Sequence, residues 1–191
     1  MTLARTDYSM SRVRLRAETI EWLSRPEFSH AITLAPNRKD MVLNRKDMEP
    51  ELLRKMLGAF CCEVDKFMLR TSNPRSRYSC ERLHLVAMPE KLDSNPHLHC
   101  VANFTRAFWQ HNLDKPWEEE LPKIWKRFTR GAGSIEIDVN SSERVASYIT
   151  KEMLRPDHDF YHSWDFQPAH RIVDENLKAT LELIAPTRRA A

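Results

Sequence analysis

The chain has 191 residues, of which 41% are hydrophobic and 30% are charged, a balance typical of a globular domain. No apolar run approaches the ~18 residues of a membrane-spanning helix, so we expect no membrane partner. The formal net charge of +3 permits nucleic-acid binding without requiring it. A Gly-x-x-x-x-Gly-Lys-Ser/Thr segment is missing from the sequence, which excludes a helicase domain of the phosphate-loop type from this chain.

The N-terminal residues and the cysteines bear on the compartment of the protein, and the cysteines indicate a reducing one. Residues 1–7 have no apolar segment behind their charges, so we expect no secretory signal. The 4 cysteines include no Cys-x-x-Cys pair, which disfavours a structural zinc site. We therefore expect reduced, buried cysteine side chains.

The spacing of apolar residues predicts alternating helices and strands over most of the chain. In chain order these are a helix at 12–24, a strand at 28–35, a helix at 50–70, strands at 78–88 and 97–104, helices at 105–112 and 117–129, a strand at 134–139, a helix from the Asn140 cap to before Pro156, and a helix at 173–184. This order predicts a single α+β domain, in which helices pack on a central, mainly antiparallel sheet of four to five strands.

Two histidines one residue apart are the strongest sign of chemistry. Side chains alternate along a strand, so His97 and His99 should share one face, about 6–7 Å apart along the strand. Two imidazoles in this arrangement can bind one divalent cation. Glu90 lies across the predicted hairpin and is the best third ligand, although it also fits a solvent-exposed turn. Glu81 and His84 are weaker candidates. A carboxylate beside two imidazoles suits Mg²⁺ or Mn²⁺.

A tyrosine and a lysine follow on the last helix of the predicted core. Tyr148 and Lys151 are three residues apart and therefore share a helix face. A nearby cation stabilises a phenolate or a phosphate, so the pair suits phosphate chemistry. Taken alone, Tyr148 also fits a packing residue and Lys151 a solvated helix surface.

Basic and aromatic residues give weaker signals. Arginines cluster near the start of the chain, and a solvated surface explains such a cluster equally well. Tryptophans at helical spacing could stack on bases, but core packing is the better explanation for at least two of them. The residues are Arg12, Arg14, Arg16, Trp109, Trp117 and Trp125.

The motifs, in this order, resemble those of the HUH endonuclease superfamily, in particular replication initiators of the rolling-circle type. Residues 31–37 are similar to the first motif of that family, and Glu90 with His97-Leu98-His99 is similar to its metal-binding motif. Tyr148-Ile149-Thr150-Lys151 resembles its nucleophile motif. The resemblance covers residues 28–155 and implies a ferredoxin/RRM-like nuclease core flanked by an N-terminal helical extension (1–27) and a C-terminal extension (156–191).

The resemblance also implies an activity. His97, His99 and Glu90 would bind Mg²⁺ or Mn²⁺, Tyr148 would be the nucleophile, and Lys151 would assist it. The expected reaction is nicking and joining of single-stranded DNA through a 5′-phosphotyrosine intermediate, to start replication of a plasmid, phage or related element. Expected partners are the DNA origin or element end and host replication proteins, including a separate helicase. The expected location is the cytoplasm or nucleoid of a bacterial or archaeal host.

Several alternatives stay open from the sequence. Conjugative relaxases are disfavoured, because they carry the tyrosine before the histidines. Two-tyrosine initiators are disfavoured unless Tyr161 serves as a second nucleophile. A single-tyrosine transposase is a close alternative, although Lys151 favours an initiator. A non-catalytic nucleic-acid-binding module and a phosphoesterase that activates water at the metal complete the set.

Overall fold

The computed structural model describes residues 3–36, 50–72, 81–92, 94–104, 117–138, 143–154 and 160–166, and for residues 3–10 and Trp164 it describes the backbone only. The helices and strands in these ranges are, in chain order, α1 (Leu3–Leu23), β1 (His30–Ala35), α2 (Pro50–Leu69), β2 (His84–Glu90), β3 (His97–Asn103), α3 (Trp117–Phe128), β4 (Ser134–Asp138), α4 (Glu143–Ile149) and β5 (Tyr161–His162). A short 3₁₀ helix at Lys151–Leu154 follows α4, and another at Ser163–Asp165 follows β5.

The strands form one five-stranded sheet in the order β4-β1-β3-β2-β5, with every neighbouring pair antiparallel. The predicted α+β class, with helices on an antiparallel sheet, is confirmed. The β2–β3 hairpin places Glu90 opposite His97 and Met88 opposite His99. On the other side of β3, Thr33 of β1 lies opposite His99. Directly paired residues share a face, so Thr33 and Glu90 are on the same face as both histidines.

Helices α2 and α3 cover the opposite face of the sheet. Their apolar side chains form the larger part of the core with Ile32, Leu34 and Leu98 from the strands. The buried Trp125 of α3 donates a hydrogen bond from Nε1 to the carbonyl of Ala35 at 3.0 Å, which fixes α3 against the end of β1. This face is therefore a closed hydrophobic layer.

Helices α1 and α4 cover only part of the histidine face. Val86 and Val101 of the sheet pack there against Trp22 at the end of α1 and Ile149 of α4. The β4 side of the same face is open, because the residues of β4 opposite Ala31, Thr33 and Ala35 are exposed. The site described below lies between the covered and the open parts.

Strand β2 begins later than predicted and ends later. The predicted strand at 78–88 is wrong for residues 81–83, since β2 starts at His84. The buried carboxylate of Asp65 on α2 accepts hydrogen bonds from the Leu83 amide at 2.7 Å and from Arg82 Nε at 2.8 Å, so this segment bonds to α2 instead of the sheet. Pro89 is tolerated within β2 because the neighbouring strand β5 pairs only with Val86 and Ala87.

The helices also differ from the sequence prediction at their ends. The first helix begins nine residues before the predicted position 12, at Leu3. The last predicted helix of the core ends at Ile149, well before Pro156, and a 3₁₀ turn follows. The Thr150 hydroxyl donates to the Ala146 carbonyl at 2.8 Å, and such back-bonding weakens helix continuation. The predicted helices at 105–112 and 173–184 and the Asn140 cap lie outside the described residues.

Among the described residues, no helix combines the length and the apolar character needed to cross a lipid bilayer. Strand β5 belongs to the segment assigned to a C-terminal extension, yet it pairs with β2 of the predicted core. The division into a core at 28–155 and two extensions stays a prediction.

Candidate active site

The β2–β3 hairpin brings the predicted metal ligands together. Its turn begins at Lys91, whose φ of 53° lies in the left-handed region, and the Asn95 amide closes the turn on the Lys91 carbonyl at 3.0 Å. This compact turn places the last residue of β2, Glu90, directly opposite the first residue of β3, His97. The predicted juxtaposition of Glu90 with the histidine pair is therefore confirmed.

Three ligand atoms converge at this end of the hairpin. Nε2 of His97 lies 3.1 Å from Nε2 of His99, and Glu90 Oε2 lies 3.6 Å and 3.0 Å from these two nitrogens, respectively. A cation about 2.1 Å from each ligand holds neighbouring ligand atoms about 3.0 Å apart at right angles and about 3.4 Å apart at tetrahedral angles. The three separations therefore fit a single bound cation. The ring centroids of His97 and His99 are 4.7 Å apart, less than the spacing of about 6–7 Å expected along the strand.

The outer nitrogens of both imidazoles are also bonded. Nδ1 of His97 is 2.7 Å from the carbonyl oxygen of Asn95, which can only accept, so His97 Nδ1 carries the hydrogen. Nδ1 of His99 is 3.2 Å from the hydroxyl of Thr33, which is able to accept a hydrogen bond from it. With a hydrogen on each Nδ1, both Nε2 atoms present lone pairs toward the site. Metal-binding histidines commonly have this arrangement.

Glu90 supplies a buried carboxylate with one oxygen available for a cation. Oε2 is buried and receives no hydrogen bond of good geometry from the described residues, although Lys151 Nζ lies 2.8 Å away. Burial alone would raise the pKa of Glu90, but the close Lys151 ammonium and, to a smaller extent, the histidines lower the pKa below its ordinary value. The carboxylate is therefore charged at neutral pH.

The electrostatics also keep His99 in its metal-binding form. Burial, followed by the neighbouring His97, lowers the pKa of His99 despite the opposing effect of Glu90. A neutral imidazole at neutral pH has a lone pair for a metal. One carboxylate oxygen and two imidazole nitrogens suit a divalent transition metal or Mn²⁺, and the carboxylate also suits Mg²⁺.

Tyr148 lies beside the predicted metal ligands. Its ring centroid is 5.1 Å from that of His99, with the planes at 78°, an edge-to-face contact. The side chain is 51% exposed, so Tyr148 is not part of the buried core. A phenol that is fixed on one side by His99 and open to solvent on the other is accessible to a large substrate.

Lys151 links the tyrosine to the carboxylate. Nζ lies 4.0 Å from the Tyr148 ring centroid as well as 2.8 Å from Glu90 Oε2. Partial burial would lower the pKa of Lys151, but its interactions with Glu90 and Tyr148 outweigh burial and raise the pKa. A permanent positive charge therefore lies between the phenol and the carboxylate.

The weaker candidates lie elsewhere. Glu81 is exposed before β2 begins. His84 lies at the far end of β2, where its Nε2 is 3.1 Å from Nε2 of the buried His162. Tyr161 is opposite Ala87 in the register and donates a hydrogen bond to the Pro50 carbonyl at 3.2 Å, on the face covered by α2. Its position on that face argues against a second nucleophile.

The tryptophans and basic clusters contribute little to this site. Trp117 and Trp125 are buried in the α2–α3 layer, which confirms core packing for both, while Trp109 lies outside the described residues. Two of the three N-terminal arginines, Arg12 and Arg16, bond to backbone carbonyls at the end of α4 and of the turn after it. This role was not predicted from the sequence, in which the four-residue spacing of the two arginines indicates only a shared helix face.

The chain was compared with models of known protein families, with curated proteins and with solved structures, and none of the three comparisons returned a match.

Proposed function

We propose that this chain is a metal-dependent endonuclease and strand transferase of the HUH type, which nicks and rejoins single-stranded DNA through Tyr148. The observation that carries the proposal is the convergence of Glu90, His97 and His99 within 3.6 Å of one another, beside an exposed tyrosine. The site supports phosphodiester chemistry because it combines a cation site, a phenol and a fixed ammonium group.

The order of elements supports the same proposal. Strands β1 to β4 with α2 and α3 follow the order strand, helix, strand, strand, helix, strand, and their order in the sheet is β4-β1-β3-β2. This order is the one expected of the split β-α-β, ferredoxin-like fold that the resemblance implies, and it supports the proposal. Both connecting helices lie on one face, which leaves the other face for the site.

The proposed reaction is a transesterification. The phenol oxygen of Tyr148 attacks the scissile phosphorus and loses its proton, while the bond from phosphorus to the 3′-oxygen breaks and that oxygen gains a proton. The products are a 5′-phosphotyrosine bond and a DNA strand that ends in a 3′-hydroxyl. The reaction needs no nucleotide, because the phosphotyrosine keeps the bond energy for rejoining.

The chain's own groups divide the work. Glu90, His97 and His99 would hold the cation, which stabilises charge on a phosphate oxygen when bound. Lys151 lies close enough to Tyr148 to stabilise a developing phenolate. The His99 ring fixes one edge of Tyr148 and restricts the directions from which the phenol approaches a phosphate. A single strand reaches such a site more readily than a paired backbone does.

A covalent-capture experiment tests the proposal without knowledge of the target. The protein is mixed with Mn²⁺ and single-stranded DNA that carries a randomised segment and a 3′-end label. The phosphotyrosine retains the 3′ portion of the cut strand, so labelled protein on a denaturing gel reports the adduct. Sequencing of the attached DNA then identifies the target and distinguishes a replication origin from a transposon end.

Variants assign the chemistry. We expect adduct formation in the wild type and in the control Tyr161→Phe, and none in Tyr148→Phe or with EDTA. An adduct that persists in Tyr148→Phe contradicts the proposed nucleophile. Metal-dependent cleavage without an adduct indicates a phosphoesterase that activates water, and metal-independent binding without cleavage indicates a non-catalytic module.

A further inference from the structure

Two arginines of α1, one helical turn apart, bond to the end of α4, which carries Tyr148, and to the 3₁₀ turn that follows it. Arg16 Nε donates to the Thr150 carbonyl at 3.1 Å, and its Nη2 donates to the Ser147 carbonyl at 2.9 Å and to the Ser147 hydroxyl at 3.3 Å. Arg12 Nη1 donates to the Met153 carbonyl at 3.1 Å, in the 3₁₀ turn that follows α4. These contacts join segments more than 130 residues apart in sequence.

The carbonyls that receive these bonds lie at the end of α4, where the Thr150 hydroxyl also donates to the Ser147 carbonyl at 3.3 Å and the Met153 amide donates to the Thr150 carbonyl at 3.1 Å. The last carbonyls of a helix have no partner within the helix and carry its negative dipole end, so a guanidinium group is favourable there. Helix α4 has only 7 residues, and so short a helix depends on tertiary contacts for its stability. Arg16 therefore supplies part of what holds the end of α4 in place.

The bonded carbonyls directly flank the residues of the proposed reaction. Ser147 immediately precedes Tyr148, and Thr150 immediately precedes Lys151. The hydrogen bonds from Arg16 to these two carbonyls thus hold the backbone directly before Tyr148 and directly before Lys151. The arginine acts from the side of the helix that faces α1, while the Tyr148 ring lies against His99 of the sheet.

We propose that Arg16 is a positioning residue, which holds the end of α4 so that Tyr148 and Lys151 stay in register with the metal site. This inference rests on the proposed function, since it concerns the same nucleophile. It assigns a catalytic contribution to a helix outside the predicted nuclease core. Arg12 supports the same segment one turn further along the chain.

The structure separates this role from metal binding. The three metal-ligand candidates lie on β2 and β3, whose backbone is held by the sheet and the hairpin turn. Arg16 contacts backbone and hydroxyl groups at the end of α4. Loss of Arg16 should therefore displace the nucleophile and leave the metal ligands in place.

The test compares three substitutions in α1. Arg16→Ala removes all three hydrogen bonds, and Arg16→Lys retains a charged donor. Arg14→Ala is the matched control, because Arg14 lies on the same helix, is exposed, and pairs only locally with Glu18 at 2.8 Å among the contacts described. Three quantities are measured on the full chain: the single-turnover rate of adduct formation at saturating DNA, the Mn²⁺ dissociation constant by electron paramagnetic resonance, and hydrogen exchange at the Thr150 and Met153 amides.

For Arg16→Ala we expect an adduct rate at least tenfold lower, a Mn²⁺ dissociation constant within twofold of wild type, and faster exchange at both amides. Arg16→Lys should recover part of the rate, and Arg14→Ala should match the wild type in all three measurements. An adduct rate within twofold of wild type for Arg16→Ala overturns the inference. A loss of Mn²⁺ affinity as large as the loss of rate also overturns it, because general destabilisation then explains both.

The outcomes distinguish this inference from the proposed function. If the wild type forms no adduct with any DNA, the proposed function fails, and hydrogen exchange alone decides whether Arg16 holds the end of α4. If Arg16→Ala does not fold, Arg16→Gln and Arg16→Lys provide the comparison. Unchanged exchange at Thr150 and Met153 in a folded Arg16 variant overturns the positioning role.

Discussion

Substitution of Lys151 should change metal affinity and reaction rate in opposite directions. The ammonium of Lys151 lies 2.8 Å from Glu90 Oε2, the oxygen that a cation would share with His97 and His99. Lys151 and the cation therefore compete for one oxygen and repel each other. Lys151→Met removes the competitor and keeps much of the side-chain volume, so we expect tighter metal binding and slower adduct formation.

The size of the effect follows from the distances. With Nζ 2.8 Å and a cation about 2.1 Å from the same oxygen, the two charges are about 4 Å apart. A single and a double positive charge at about 4 Å repel each other by about 2 kcal/mol at the dielectric constant of water. We use the value for water because the Lys151 side chain is 33% exposed and can turn into solvent. Such an energy corresponds to about tenfold to thirtyfold in the dissociation constant.

The assay measures the Mn²⁺ dissociation constant by calorimetric titration. Lys91→Met is the control. Lys91 Nζ lies 4.0 Å from the other oxygen of Glu90 and its side chain is 58% exposed, so its removal should change the dissociation constant by less than about twofold. The same Lys151→Met protein should form the adduct about 100-fold more slowly, because the positive charge beside the ring of Tyr148, the proposed nucleophile, is lost.

A single result would refute this reasoning. If Lys151→Met binds Mn²⁺ no more tightly than the wild type, while Lys91→Met behaves as expected, the Glu90 oxygen is not the shared ligand. The cation would then bind without Glu90, and the three-ligand site would be wrong. An unchanged adduct rate in Lys151→Met would instead remove only the assisting role of Lys151.

Three further predictions concern the surroundings of the site. Thr33→Val removes the partner of His99 Nδ1 and should weaken Mn²⁺ binding about tenfold by calorimetry, whereas Thr33→Ser should stay near wild type. Burial lowers the pKa values of His30 and His99 below 6.5, so the unfolded chain takes up protons first as the pH falls. Metal-free protein should therefore lose up to about 1.4 kcal/mol of unfolding free energy per pH unit for each histidine below about pH 6.5, measured by urea unfolding; stability that is flat or rising toward pH 5 contradicts this. Asp65→Ala leaves the buried Arg82 guanidinium without its carboxylate and should lower the free energy of unfolding by about 3–5 kcal/mol, measured by urea unfolding. The control Glu63→Ala, on the same helix, removes only partly exposed ion pairs and should lower it by less than about 1 kcal/mol.

Local patterns were sufficient to predict four of the five strands, apart from the start of β2, and the cluster of Glu90, His97 and His99, but not the edge strand β5. Alternation along β3 places His97 and His99 on one face, and the short connection after Glu90 forces a hairpin. Both inferences need only backbone geometry and the spacing of a few residues. The helical position of Tyr148 follows from periodicity in the same way.

Features that depend on distant contacts could not be predicted. The late start of β2 depends on Asp65, which lies on another helix. The arginines of α1 read as surface charge, because their partners are backbone carbonyls that carry no mark in the sequence. The exposure of Tyr148 depends on how far α4 covers the sheet, and short-range periodicity does not report that distance.

The first helix has a consequence for any shortened form of the protein. Trp22 and Leu23 at its end fill the layer over Val86 and Val101, and the same helix carries the arginines that bond to the end of α4. A fragment that starts at Phe28 would expose apolar side chains beside the candidate site and remove the arginine contacts to the helix that carries Tyr148, the proposed nucleophile. Trimming the chain to residues 28–155 should therefore yield an aggregation-prone protein in which Tyr148 is poorly positioned, although all the proposed site residues are still present.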